Sequence, residues 1–210
     1  MYRDEFKRQA LRADTLTFDD FIKNLQLVVD ASPLSGADLK RASQLTLRTN
    51  QFNFTTIRRD EAELQAVLSD GRHDVRTIRV RDKFGDYGLV GLVIAERGPE
   101  VWALDTFLLS CRVLGRGVEH RILADLGQMA AAAGASQVRL RVDFTKRNTP
   151  ARGFLETAVP SEYRHADDQS MTCEVPATAL ADVRFEPGAS ATMSPRIRSS
   201  SFSETPSTSA

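Results

Sequence analysis

The chain has 210 residues, with 28 basic and 28 acidic side chains, so its formal net charge is zero. That balance holds within residues 1–37, 38–184 and 185–210 taken separately, which excludes a broadly basic nucleic-acid binder. The hydrophobic share is 41%, and no apolar run nears the ~20 residues that span a bilayer, so a globular protein without a membrane span is expected.

Residues 1–37 read as a helical arm or joint. Phe18, Phe21, Ile22, Leu25, Val28 and Val29 recur at helical spacing and predict a helix over 17–30. Thr17 can cap it, and Asp19 and Asp20 suit the positive end of its dipole. Pro33 and Gly36 break the pattern. A second helix is expected over 38–48. Asp60 with Glu63 reads as a capping box opening a short helix to Leu68.

Strand-like runs follow at 74–81, 87–96 and 101–109, the last two joined as a hairpin by a turn at 97–100. A long amphipathic helix is expected over 117–133, stopped by Gly134. Strands at 137–143 and 171–175 complete the pattern, which is that of an α/β domain over 38–184. Residues 185–210, rich in Ser, Thr and Pro, have too few apolar side chains to offset the entropy of ordering and read as a disordered tail.

The most informative stretch joins the strand at 101–109 to the long helix. It runs Cys111-Arg112-Val113-Leu114-Gly115-Arg116-Gly117, spaced R-x-x-G-x-G. Two glycines allow a tight turn and close approach of a ligand, while the helix start favours an anion. The alternative is a glycine-rich turn with no ligand. The loop lacks the Gly-Lys-Ser/Thr of a P-loop, and His120 stands where a dinucleotide fingerprint has its third glycine.

The loop resembles that of the GNAT acyltransferase superfamily, whose R/Q-x-x-G-x-G/A consensus wraps the pyrophosphate arm of acyl-CoA. Arg112, Gly115 and Gly117 match it. Asn148, Ala151 and Phe154 match a second pattern, N-x-x-A-x-x-F-Y, in which Leu155 replaces a tyrosine that can act as general acid. The resemblance implies a mixed, largely antiparallel sheet with a helix after the glycine loop.

A longer resemblance covers roughly 40–155. RASQLTLRTNQFNFTT (41–56), RDKFGDYGLVGLVI (81–94) and DTFLLSCRVLGRGVE (105–119) are similar to the C-terminal, GNAT-like part of FkbH-like proteins. Those proteins load a glyceryl unit onto an acyl carrier protein in polyketide pathways, and their other half is a HAD-type phosphatase domain with a D-x-D-x-T motif. No D-x-D-x-T occurs in this sequence. The resemblance implies a pantetheine-borne acyl group, from acyl-CoA or a carrier protein's phosphopantetheine. It further implies an acyl carrier protein as partner, a separate HAD-domain protein, and Asn148 with the 112–117 loop as cofactor contacts.

Several residues have two readings. Cys111 can take the acyl group as a thioester, helped by Arg112 and the helix start, or be a small apolar packer. Cys173 reads as core. Asn50, Gln51 and Asn53 can line the acyl site or cap turns. Asp105 can be a general base or pair with a nearby arginine. Asp82 and Asp86 flank Gly85 as turn residues. His120 can pair with Cys111 or face solvent. His73, His120 and His165 have no metal-ligand spacing, so no metal is expected.

Arg139, Arg141, Lys146, Arg147 and Arg152 can join Arg112 and Arg116 as a cationic rim for CoA phosphates or an acidic carrier protein, or form a solvated face. No aromatic platform accompanies them, which disfavours nucleic acid. Two cysteines cannot make a disulfide scaffold, and the charged N-terminus has no signal core, so a cytoplasmic setting is expected. An acetyl-CoA-dependent N-acyltransferase and a non-catalytic module docking a HAD protein are the alternatives.

Overall fold

A computed structural model describes residues 2–15 and 17–186. The expected disordered tail, apart from Phe185 and Glu186, lies outside the described residues. Two N-terminal helices, α1 (Tyr2–Asp14) and α2 (Phe18–Leu25), lead into strand β1 (Val28–Pro33). Helices α3 (Leu39–Arg48) and α4 (Glu61–Ser69) precede β2 (His73–Asp82), β3 (Gly85–Arg97) and β4 (Val101–Leu109). Then come α5 (Val118–Ala132), β5 (Gln137–Asp143), α6 (Thr149–Ala158), β6 (Arg164–Ala166), β7 (Ser170–Pro176) and α7 (Ala177–Ala181).

Local signals explain most boundaries. Thr17 caps α2 through the Asp20 amide. Asp60 and Glu63 form the reciprocal capping box of α4. Gly134, at φ +87, supplies the left-handed turn after α5.

One expected boundary is corrected. The helix expected to run to residue 30 ends at Leu25, where Gln26 turns left-handed at φ 52. Val28 to Pro33 instead pair antiparallel with Arg81 to Arg76, so this stretch belongs to the sheet. Val28 and Val29 are β-branched and fit a strand. Pro33, which has no N–H, is tolerated at the end of an edge strand.

The sheet has seven strands in the order β1-β2-β3-β4-β5-β7-β6. Every pairing is antiparallel except β4 with β5. Its two faces carry separate cores. On one, Ala42, Leu45 and Leu64 from α3 and α4 meet Val75, Leu92, Ile94 and Leu108. On the other, α5, α6 and α7 pack on Val90, Val93, Phe107 and Leu140. β3 is therefore apolar along nearly its whole length, as expected of a strand covered on both faces. α7 lies so close to α5 that a Cβ on Gly127 would come within 2.4 Å of the Ala181 nitrogen. No described helix is long and apolar enough to cross a membrane.

Two irregularities place the site. β4 bulges: Ile94 faces Thr106 and Ala95 faces Leu104, which leaves Asp105 without a partner across the ladder. The parallel ladder between β4 and β5 lasts only from Val101–Gln137 to Ala103–Arg139, so the strands then part.

Candidate functional site

The parting of β4 and β5 is not empty. Residues 52–54, from the loop after α3, lie in it as an extra strand. The Phe54 N–H donates to the Phe107 carbonyl (3.0 Å), the Leu109 N–H to the Phe52 carbonyl (3.0 Å), and the Asp143 N–H to the Phe54 carbonyl (2.9 Å). Asn53 bridges to Leu108. The backbone groups that parting strands would leave unsatisfied thus find partners within the chain. Phe52, Phe54, Phe107 and Phe154 make a contiguous aromatic cluster with centroids 5.1–5.7 Å apart.

This explains three residues expected at the site. Asn148 is 1% exposed, and its Nδ2 donates to the Asn53 and Asp143 carbonyls at 3.1 and 2.7 Å. Its Oδ1 accepts from the Thr145 amide and hydroxyl. Asn53 is fully buried, its Nδ2 donating to the Thr49 carbonyl and its Oδ1 accepting from the Thr56 amide. Asn50 accepts from the Arg58 guanidinium at 2.6 Å. Asn148 and Asn53 hold backbone groups in or beside the inserted segment, and Asn50 holds the Arg58 side chain. Only Gln51 of the expected group is exposed.

Asp105 forms a fork with Arg59: Nη1 to Oδ1 at 2.9 Å and Nη2 to Oδ2 at 2.9 Å. Its carbonyl, at the bulge, accepts from the Thr55 hydroxyl at 2.7 Å. Asp105 thus has the ion-pair geometry that was one of its two readings.

The glycine loop begins at Ser110. Cys111–Val113 form a 3-10 turn, with Cys111 exposed and Val113 buried. Arg112 donates from Nε to Ser110 Oγ at 3.3 Å. Gly115 and Gly117 adopt φ +70 and +84, where a side chain would be strained. Gly117 directly precedes α5.

Three groups whose arrangement the sequence does not show surround this loop. Glu119, 5% exposed, turns its carboxylate back so that Oε1 accepts from the Gly115 N–H at 2.6 Å. Its Oε2 is buried with no hydrogen-bond partner among the described residues. Burial pushes the Glu119 carboxyl above the ordinary range, opposed by the Gly115 and Glu119 amides and by Arg116.

Phe185 covers Gly117, where a Cβ would lie 2.6 Å from its ring. His120 is half-buried rather than fully solvent-facing: its ring lies 5.0 Å from Phe154 and 5.2 Å from Phe185. Burial lowers its pKa to about 4, and Nδ1 has no partner. The imidazole is neutral at neutral pH.

The third group ties α1 to the loop. Asp82 is inaccessible and accepts from Arg8 (2.7 and 3.1 Å), the Tyr87 hydroxyl (2.8 Å) and the Phe84 and Gly85 amides. Its carboxyl is held below the ordinary range by those donors against burial. Arg116 donates to the same Tyr87 hydroxyl. Asp82 does cap its turn, as expected, but its main partner lies 74 residues away.

Of the seven cations that could form a rim, three are paired. Arg139 pairs with Glu174, Arg141 with Asp143 and Arg152 with Glu156, at 2.7–2.8 Å. Cys173 is fully buried and its thiol is pushed up to about 12, as fits a core residue. Among the described residues no group of three His, Cys, Asp or Glu could hold a metal.

The fold is similar to that of several acyltransferases. The ribosomal-protein-S18-alanine N-acetyltransferase from Escherichia coli superposes with a TM-score of 0.51 at 14% identity, over 71% of this chain and 94% of that one. A spermidine N-acetyltransferase from Vibrio cholerae gives 0.50 at 14%, over 75% and 97%. FdhC, a nucleotide-linked sugar GNAT, gives 0.51 at 13%, over 75% and 92%. No family model and no curated protein matches the sequence. The chain therefore has the α/β GNAT fold: a mixed, mostly antiparallel sheet with a helix after the R-x-x-G-x-G loop.

Proposed function

We propose that this chain handles an acyl group carried as a thioester on a pantetheine arm, in the manner its resemblance to FkbH-like proteins implies. The observation that carries this is the run of a bulged β4, an exposed thiol at Cys111 and a doubly left-handed glycine loop opening α5. A bulge beside a strand end is a common way to aim groups at a site. An exposed thiol has the access that acyl transfer needs.

In this reading the Cys111 sulfur attacks the thioester carbonyl of the donor. The Cys111 thioester forms, the donor's C–S bond breaks, and the thiol proton ends on the released pantetheine sulfur. An acyl carrier protein and a separate HAD-domain protein are the proposed partners, as donor or acceptor and as source of the acyl unit. Intact-mass spectrometry after incubation with a glyceryl thioester of pantetheine tests it. The expected result is one added glyceryl mass, absent in Cys111→Ala. An adduct of equal yield in Cys111→Ala removes the thiol from the mechanism.

The same geometry favours a second reading. As the side chains stand, acyl-CoA does not fit the inside of the loop. Glu119 takes the Gly115 amide, Phe185 covers Gly117, and residues 52–54 fill the strand parting. A non-catalytic module that docks a HAD protein would need no such space. Calorimetry with acetyl-CoA separates the readings. Binding supports acyl handling, including the N-acyltransferase variant, and no binding at low ionic strength supports the module.

A further inference from the structure

Glu119, Phe185 and residues 52–54 close three approaches to the loop, and a fourth remains open. Leu114, Gly115 and Arg116 form one wall of a groove of about 390 Å³ whose other wall is α1 and α2, through Glu5, Arg8, Gln9, Arg12, Phe18 and Phe21.

The charges in this groove are unbalanced. Arg8 is paired with Asp82 at 2.7 Å and with Glu5, the one carboxylate of the lining, at 3.5 Å. Arg12 has no ion pair among the described residues, and its guanidinium lies 5.8 Å from the Phe18 ring centroid. Arg116 has none among the described residues either, although Glu119 lies near enough to feel its charge. It donates to a neutral phenol, Tyr87, and lies 5.4 Å over that ring. Two guanidiniums without an ion pair among the described residues therefore border one groove, with Gln9 and two phenylalanines in its lining. Guanidinium is the side chain best suited to phosphate oxygens. Another cavity of similar size, about 410 Å³ between α5 and residues 183–185, lacks this imbalance, because its Arg121 pairs with Asp125 at 2.7 Å and its Arg184 with Asp182 at 3.8 Å.

We propose that the α1–loop groove binds the phosphate ester of the incoming ligand, with Arg12 and Arg116 on the phosphate and the organic chain along Phe18. This rests on the reading of the loop as the place where a phosphopantetheine arm arrives. It differs from that reading in moving the phosphate off the α5 terminus, where Glu119 already stands.

Calorimetry of the full chain at low ionic strength tests the site, with coenzyme A and phosphopantetheine as probes and pantetheine as the phosphate-free control. Arg12 is exposed, so its replacement leaves the fold intact. The expected outcome is that both phosphorylated probes bind and pantetheine binds much more weakly. Arg12→Gln should lose about tenfold in affinity, the scale of one charge-assisted hydrogen bond, and Arg12→Lys should recover part of it.

Unchanged binding in Arg12→Gln, with a gain in Glu119→Gln, would place the phosphate on the α5 terminus and overturn the groove while leaving acyl handling intact. Equal affinity for pantetheine would also overturn it. Failure of every probe on every variant would remove both readings.

Discussion

Glu119 shows how a single side chain can change the meaning of a motif. Arg112, Gly115 and Gly117 match an anion-binding consensus, but two residues later the chain supplies its own anion. The cost is a buried carboxylate with one oxygen unpartnered, and burial raises its pKa. A raised carboxyl contributes stability that is complete below the ordinary glutamate range and is lost as pH rises through the folded value. Glu119→Gln cannot titrate. Paired denaturation curves from acidic to mildly alkaline pH should therefore show wild type losing ground to Glu119→Gln as pH rises, and a pH-independent difference would contradict this. The motif was legible in the sequence and its occupant was not. Nothing in the spacing says that a helical glutamate folds back onto a loop amide rather than facing water.

The inserted segment at 52–54 makes the corresponding point for secondary structure. Elements with local signals were readable: the capping box at Asp60, the glycine stop at 134, and the hairpin of β3 and β4. Residues 52–54 carry no such signal, since all their ladder partners come from β4 and β5. The amides of TNQFN could be read from the sequence as site-lining or as structural, and only the fold decides. The end of α2 was hidden for the related reason that apolar residues spaced for a helix also suit β1, and pairing with β2 determines the outcome. Asn148→Ala removes two donors from backbone carbonyls and leaves them buried. We expect a loss of about 1–3 kcal/mol. The Phe54, Leu109 and Asp143 amides should then exchange with solvent faster, as hydrogen-exchange mass spectrometry or NMR would show. Unchanged protection would mean that the phenylalanines alone hold the segment.

On the scale of the molecule, α1 is held to the sheet largely through one buried ion pair, Arg8–Asp82, reinforced by Arg8 lying 4.3 Å over the Tyr87 ring. Removing one member of such a pair leaves the other charged and buried, at a cost of about 3–5 kcal/mol. Asp82→Ala should lower the denaturant midpoint accordingly and expose residues 2–14 to proteolysis, while equal protease resistance would contradict that role. Because Asp82 titrates below its ordinary range, the pair's contribution is present at neutral pH and is lost as pH falls through the folded value. No local pattern links positions 8 and 82, so this contact could not be read from sequence.

The short parallel ladder between β4 and β5 has a consequence for how the protein assembles. Three register pairs join the β1–β4 half of the sheet to the β5–β7 half, and the rest of the seam is a strand borrowed from residues 52–54. That strand precedes β5 by more than eighty residues of chain, so the seam can close only after a long loop has been brought together. The hairpins of β2, β3 and β4 form from neighbours in sequence and need not wait for it. On this topology we expect the two halves, although continuous in space, to be distinct in folding order, with the joint beneath the glycine loop closing last.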